Sequence, residues 1–495
     1  GFNYMEGIMD NNLTLMTDLY QITMMQGYFE ANMHNKKAVF DMFYRKNPSN
    51  NGYAIACGLE QVVEYIKNIK FDEESIDYLR SINIFKEEFL EYLKDFKFTG
   101  DIYAIPEGTV VFPGEPLVRV KSSIIEAQFI ETTILNIINH QSLIATKAAR
   151  VAWAAEGDVV MEFGLRRAQG PDAGIYGARA AVIGGCSSTS NVLAGKMFNI
   201  PISGTHAHSW IMSFKDELTA FRTYASIFPE RCVLLVDTFD TLKSGVPNAI
   251  KVFKEMKEKG IKLKNYGIRL DSGDLAYISD KARTMLDEAG FKDACIAASS
   301  DLDESIISSL KQQGTKINVW GVGTNLITSS DCPAFGGVYK LCAEEVNGEI
   351  IPKIKLSENP DKVTNPGIKK IFRLYDKFTN KIKADLICLE GETINEDEDL
   401  TIFHPINTWK TMTLKANEYY IKELLQPVFL NGKCVFEKRE TMEIKQYCES
   451  QKEGLWNEHK RLINPHILPV DLSLELYNLK KNMIDNIRKN NKNSF

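Results

Sequence analysis

No two cysteines in this sequence stand in a CxxC arrangement; the nine are scattered singly at positions 57, 186, 232, 295, 332, 342, 388, 434 and 448. An odd set without paired spacing speaks against a disulfide framework or a zinc ribbon and suggests a reducing, cytoplasmic setting. Long apolar runs are missing as well. None approaches the roughly 18–20 residues that a membrane span needs, so no membrane partner is expected. No secretory leader pattern opens the chain. The first residues, GFNYMEGIMD, lack an initiator Met, and Gly1–Tyr4 is expected to be a remnant of processing or cloning. Basic excess is absent too: 59 Lys and Arg stand against 65 Asp and Glu, a net charge of −6, so nothing favours a nucleic-acid partner. Histidine is scarce, with seven in 495 residues, yet two of them, His206 and His208, share the stretch GTHAHSWIM.

What is present is ordinary globular composition, 44% hydrophobic and 25% charged, at a length that implies more than one domain. Three zones follow. In the first, Thr17-Asp18 reads as a helix cap before LYQITMMQGYFEAN. AVFDMFYRKNP reads as a strand ending at Pro48, and three amphipathic helices run to about residue 96. Residues 100–122 read as short strands with tight turns. Ile124–Glu156 then reads as one long helical stretch.

The second zone has a regular beat. Apolar strand candidates recur at DVVMEFGL, IPISGTHA, CVLLVDTF, NYGIRLDS, ACIAASSD and INVWGVGT, with amphipathic segments between several of them. A step of roughly 25–40 residues implies parallel strands with helical crossovers. Nearly every candidate ends in polar groups: Arg166 and Arg167, His206 and His208, Asp237 and Asp240, Arg269 to Gly273, Ser299 to Asp301, and Gly321 to Thr324. Six strands delivering polar groups to one rim favour a β/α barrel over an open sheet, which would gather them at one switch point. The third zone, after about residue 350, is rich in Lys and Glu and offers no visible chemistry.

Four stretches carry candidate chemistry. GVGT (321–324) at a strand end suits a phosphate or a simple turn, because glycines let backbone N–H groups approach anionic oxygens. In RLDSGD (269–274), Ser272 or Asp274 serves as a helix cap. Arg269 and Asp271 alternate onto the inward side, suited to phosphate and to magnesium or a ribose hydroxyl. FGLRRAQGPDAG (163–174) offers an arginine fork for a planar carboxylate, and GGCSSTSN (184–191) reads as a loop wrapping a ligand. The two histidines share a face on an extended backbone. A metal pair, a base with its helper, a group carrier and a satisfied core residue all stay open for them.

With these motifs assembled, the chain resembles the nicotinate phosphoribosyltransferase family. The resemblance rests on TDLYQITM, FDMFYRKNP, GYAIACGLEQ, FGLRRAQGPDAG, GGCSSTSNVLAGK, GTHAHSWIMSF and YGIRLDSGDL, in order along most of the sequence. It implies an α/β fold: an irregular β/α barrel of the type II phosphoribosyltransferase kind at 126–350, an N-terminal α+β domain at 1–125, and a C-terminal extension at 351–495. It also implies transfer of a phosphoribosyl group from 5-phosphoribosyl-1-pyrophosphate to nicotinate, coupled to ATP hydrolysis through a phosphohistidine, with Mg2+ and a homodimer sharing its active sites.

Carried over by position, the resemblance makes His208 the phosphorylated residue and leaves His206 without a role. Phe163 and Arg166 would hold the nicotinate ring, and Tyr20 would reach in from the partner subunit. Arg269, Asp271 and Ser272 would bind the phosphoribosyl group and Asp237 the pyrophosphate side. Gly321, Gly323 and Thr324 would take the 5-phosphate. A serine at Ser190, where related nicotinamide enzymes carry aspartate, favours an acid as substrate. Nicotinamide is the runner-up. A barrel aldolase would need a strand-end lysine that is missing here, and a non-catalytic descendant would not need His208, Arg269 and Asp271.

Overall fold

A computed structural model describes residues 12–493, which sort into two compact units; the Gly1–Tyr4 expectation lies outside the described residues. Of the described residues, one unit comprises 12–143, 334–439 and 447–493, and the other 144–333 and 440–446. Among the described residues no helix is long and apolar enough to cross a membrane.

The first unit draws on both ends of the chain. Lys37–Tyr44, buried along nearly its whole length, is a central strand between Gly337–Val346 and Val118–Ser123 in a seven-stranded antiparallel sheet. A second, six-stranded sheet gathers Lys369–Asp376, Ile382–Leu389 and strands from the C-terminal zone around Leu374, Ala384, Leu386 and Ile402. Three helices, Leu59–Lys67, Glu73–Ser81 and Glu87–Leu93, occupy the expected amphipathic region. Asp18 precedes the helix Leu19–Glu30, but its side chain makes no capping bond. The stretch read as one helix breaks at Ile130 into Ile124–Phe129 and Glu131–Ala154.

The second unit carries the strand-plus-helix beat. Val159–Glu162, Ser188–Thr189, Val233–Leu235, Gly267–Leu270, Cys295–Ala298 and Val319–Val322 form one all-parallel sheet. The first strand of this sheet pairs with its last, Val319 with Val159 through Val322 with Glu162, as a barrel requires. On its other side Val159–Glu162 pairs with Ser188–Thr189, and Thr189 bridges Ile202 in parallel. Regular pairing stops between Ile202 and Val233–Leu235, which makes this seam the irregular part of the barrel.

Two expectations shift here. IPISGTHA contributes only the Ile202 bridge, because Pro201 has no N–H to donate to a ladder and Gly204 adds no side chain to pack. GGCSSTSN, read as a loop, supplies a short strand instead. Its Ser188 and Thr189 are buried, small and able to pair beside Val159–Glu162.

Candidate active site

The C-terminal ends of the parallel strands surround a cleft of about 480 Å³. Its walls include Phe163, Arg166, Ser190, His206, His208, Arg269, Asp271, Gly321, Gly323 and Thr324. Asp237 and Ser272 are not part of that lining; Asp237 accepts the N–H of the lining residue Asp271, and the exposed Ser272 donates its hydroxyl to Asp237. Tyr20 belongs to the other unit, where it is about half exposed and its hydroxyl donates to Glu131 Oε1 at 3.0 Å.

Period-two alternation brings Arg269 and Asp271 to the same side. Arg269 is mostly buried, which holds its guanidinium below the usual arginine range despite Asp271 and Asp237. Its Nη2 donates to the carbonyl of His206. Asp271 accepts from Ser299 Oγ at 2.9 Å and faces His208 Nε2 at 3.3 Å. Asp237 is satisfied on one oxygen only. Oδ2 takes the Asp271 N–H at 2.9 Å and the Ser272 hydroxyl at 2.6 Å. Its Oδ1 is buried without a hydrogen-bond partner, 3.7 Å from His208 Nε2. Asp274, not Ser272, caps the helix Leu275–Glu288, accepting from the Tyr277 N–H at 3.1 Å.

The two histidines part company. His208 opens the short helix His208–Met212, with Nδ1 3.0 Å from Thr238 Oγ1 and Nε2 toward the carboxylates. His206 turns to the seam, where its Nε2 accepts the Leu235 N–H at 3.4 Å and its ring meets Tyr224 edge-on at 4.8 Å. Burial, then the charges of Arg269 and His208, push its pKa down to about 4. It is therefore neutral at ordinary pH.

On the opposite rim, Arg166 and Arg167 sit exposed in the turn Leu165–Arg167. Phe163 packs against Gly321. A Cβ at 321 would lie 2.6 Å from the ring, so only glycine leaves room for it. Gly323 precedes the helical turn Thr324–Ile327. Ser190 donates its N–H to the Glu162 carbonyl at 3.0 Å.

Sequence reasoning missed Thr238, Thr189 and Glu162. Thr238 directly follows Asp237, and that adjacency at a strand end was the only available signal. Among the described residues no group of three or more His, Cys, Asp or Glu side chains is arranged to hold a metal by itself. Asp237 Oδ1 and Asp271 Oδ2 could still contribute to an ion held mainly by a phosphate ligand.

Three family models match: the nicotinate phosphoribosyltransferase N-terminal domain at 15–139, the nicotinate phosphoribosyltransferase family at 159–380, and the C-terminal domain at 368–480. Nicotinate phosphoribosyltransferase of Bacillus subtilis is 48% identical over 482 residues, covering 97% of each chain. The protein of that name from Caenorhabditis elegans is 36% identical, covering 94% of this chain and 92% of its own. The crystal structure of human nicotinic acid phosphoribosyltransferase superposes with a TM-score of 0.81 at 28% identity, over 94% of this chain and 99% of that one. The chain belongs to the nicotinate phosphoribosyltransferase family.

Proposed function

We propose that this chain joins nicotinate to 5-phosphoribosyl-1-pyrophosphate, giving nicotinate mononucleotide and pyrophosphate, and couples the reaction to ATP hydrolysis through a phosphorylated His208. The observation that carries this reading is one cleft with an exposed arginine turn on one rim and a His–Asp–Asp cluster beside a buried arginine on the other. Arg166 would take the nicotinate carboxylate while Phe163 lies against the ring. Arg269 would pair with the phosphoribosyl group. Gly321, Gly323 and Thr324 would receive its 5-phosphate.

The pyridine nitrogen is itself the nucleophile. It attacks the anomeric carbon as the bond to pyrophosphate breaks, so orientation matters more than base catalysis. Phosphorylation of His208 draws on its two neighbours. Asp271, accepting from Nε2–H, would leave the lone pair on Nδ1, the nitrogen that attacks the γ-phosphorus of ATP while ADP departs. The Thr238 hydroxyl holds that nitrogen at rest. Later hydrolysis of the N–P bond releases phosphate.

Asp237, with its unsatisfied Oδ1, and Asp271 are the fitting ligands for Mg2+, with substrate phosphates and water completing the shell. The ion would neutralise charge on the departing pyrophosphate. In this reading Ser190 favours the acid over the amide, and the active protein is a cytoplasmic homodimer whose Tyr20 serves the partner's site.

The test is mononucleotide formation from nicotinate, with nicotinamide in parallel, each with and without ATP. Product from nicotinate, increased by ATP, supports the substrate and the coupling. Product from nicotinamide alone overturns the Ser190 argument, and no product from either sinks the reading.

A further inference from the structure

Glu162 ends the strand Val159–Glu162 with no exposed surface, yet it carries a carboxylate. Both of its oxygens are engaged by neutral donors. Oε1 accepts the Thr189 hydroxyl at 2.7 Å, and Oε2 accepts the backbone N–H of Gly164. Burial raises its pKa, against the lowering effect of those two hydrogen bonds. Its carbonyl also accepts the Ser190 N–H at 3.0 Å. Glu162 therefore holds two segments at once: the chain at Gly164, which leads from Phe163 into the turn with Arg166, and the segment after Thr189, with Ser190.

A glutamine would not serve equally. Two donors converge on this group, and an amide offers one acceptor oxygen while its NH2 would face the other donor. Burying a carboxylate costs more than burying an amide. The arrangement thus needs two acceptors more than it needs low desolvation cost. We infer that Glu162 is a positioning residue that sets Arg166 against Ser190 and so fixes the affinity and acid selectivity of the nicotinate half of the cleft. The inference rests on the proposed nicotinate reaction.

The test uses full-length Glu162→Gln, Thr189→Val and Thr189→Ser. Thr189→Val removes the hydroxyl at nearly constant volume, and with it both its bond to Glu162 and its acceptance of the Asn191 N–H at 3.1 Å. Thr189→Ser keeps both, so this pair tests the Thr189 anchor even where Glu162→Gln does not fold. Glu162→Gln and Thr189→Val are expected to raise the KM for nicotinate roughly ten-fold. They should also lower the preference for nicotinate over nicotinamide. The KM for 5-phosphoribosyl-1-pyrophosphate and ATP hydrolysis without nicotinate should stay within about two-fold of wild type, and Thr189→Ser should recover the nicotinate KM. Parallel rises in both substrates' KM, or a Thr189→Val enzyme that matches wild type, would overturn the role while leaving the reaction intact. A wild-type protein inactive on nicotinate would sink the reaction, and this role with it.

Discussion

The rim formed by residues 162–190 and the rim formed by residues 204–272 use their carboxylates in opposite ways. On the first, Glu162 is fully buried and spends both oxygens on a backbone N–H and a hydroxyl. On the second, Asp237 keeps one buried oxygen unpartnered, and Asp271, 39% exposed, faces His208. A satisfied buried carboxylate fixes chain segments relative to one another. An unsatisfied one keeps an acceptor available for something positive or protic. In the proposed reaction the first rim would supply position and the second would supply chemistry.

The largest expected effect tests that division directly. Asp271→Asn keeps the size of the side chain but removes the charge that orders His208. It should lower kcat for mononucleotide formation by about 10²–10³-fold. The nicotinate KM should change little, as steady-state kinetics at saturating 5-phosphoribosyl-1-pyrophosphate would show. An Asp271→Asn enzyme altered only in nicotinate KM would erase the contrast with Glu162.

A smaller effect probes the first rim from its opposite wall. Gly321→Ala puts a Cβ 2.6 Å from the Phe163 ring, and either the ring or the strand end must move. Overpacking of this kind costs about 1–3 kcal/mol of stability. The nicotinate KM should rise while the kcat of bound substrate holds. Denaturant midpoints and the same kinetics check both, and a Gly321→Ala enzyme with unchanged KM would show that the ring is not a fixed wall of the site.

The two rims were also unequally legible in the sequence. Arg269 and Asp271 could be read from alternation alone, because a strand sends every second residue to one face and the apolar residues between them mark the other. Asp237 was visible as a polar group at a strand end, while the roles of His208 and Asp237 came only with the family resemblance. Glu162 could not be read this way. Its partners are Gly164, two residues on, and Thr189, 27 residues away on a strand that the serine-rich sequence disguised as a loop. The Ile202 stretch failed for the converse reason. Its apolar residues have the pattern of a strand, while the missing N–H of Pro201 and the bare Gly204 withhold what a ladder needs. Local pattern gives the face of a residue; the partner that satisfies a buried polar atom comes from tertiary packing.

His206 gives the smallest and most selective test, since it lies on the chemical rim but serves position. Its native pKa, lowered to about 4, lies below the unfolded value near 6.5. As pH falls below 6.5 the unfolded chain takes up a proton that the native protein refuses. The stabilising contribution is therefore present above pH 6.5 and is lost progressively toward pH 4. Between pH 6.5 and 5.5 the loss from this residue is about 1 kcal/mol. His206→Gln retains an acceptor that can reach the Leu235 N–H and does not titrate, so its unfolding free energy should fall less over that interval than the wild-type value does. Urea denaturation at pH 7.5, 6.5 and 5.5 measures the difference. Equal pH slopes in the two proteins would mean that His206 takes up its proton in the folded state as readily as in the unfolded one. The seam would then hold a charge beside Arg269, and the separation of a positioning histidine from a reacting one two residues later would fail.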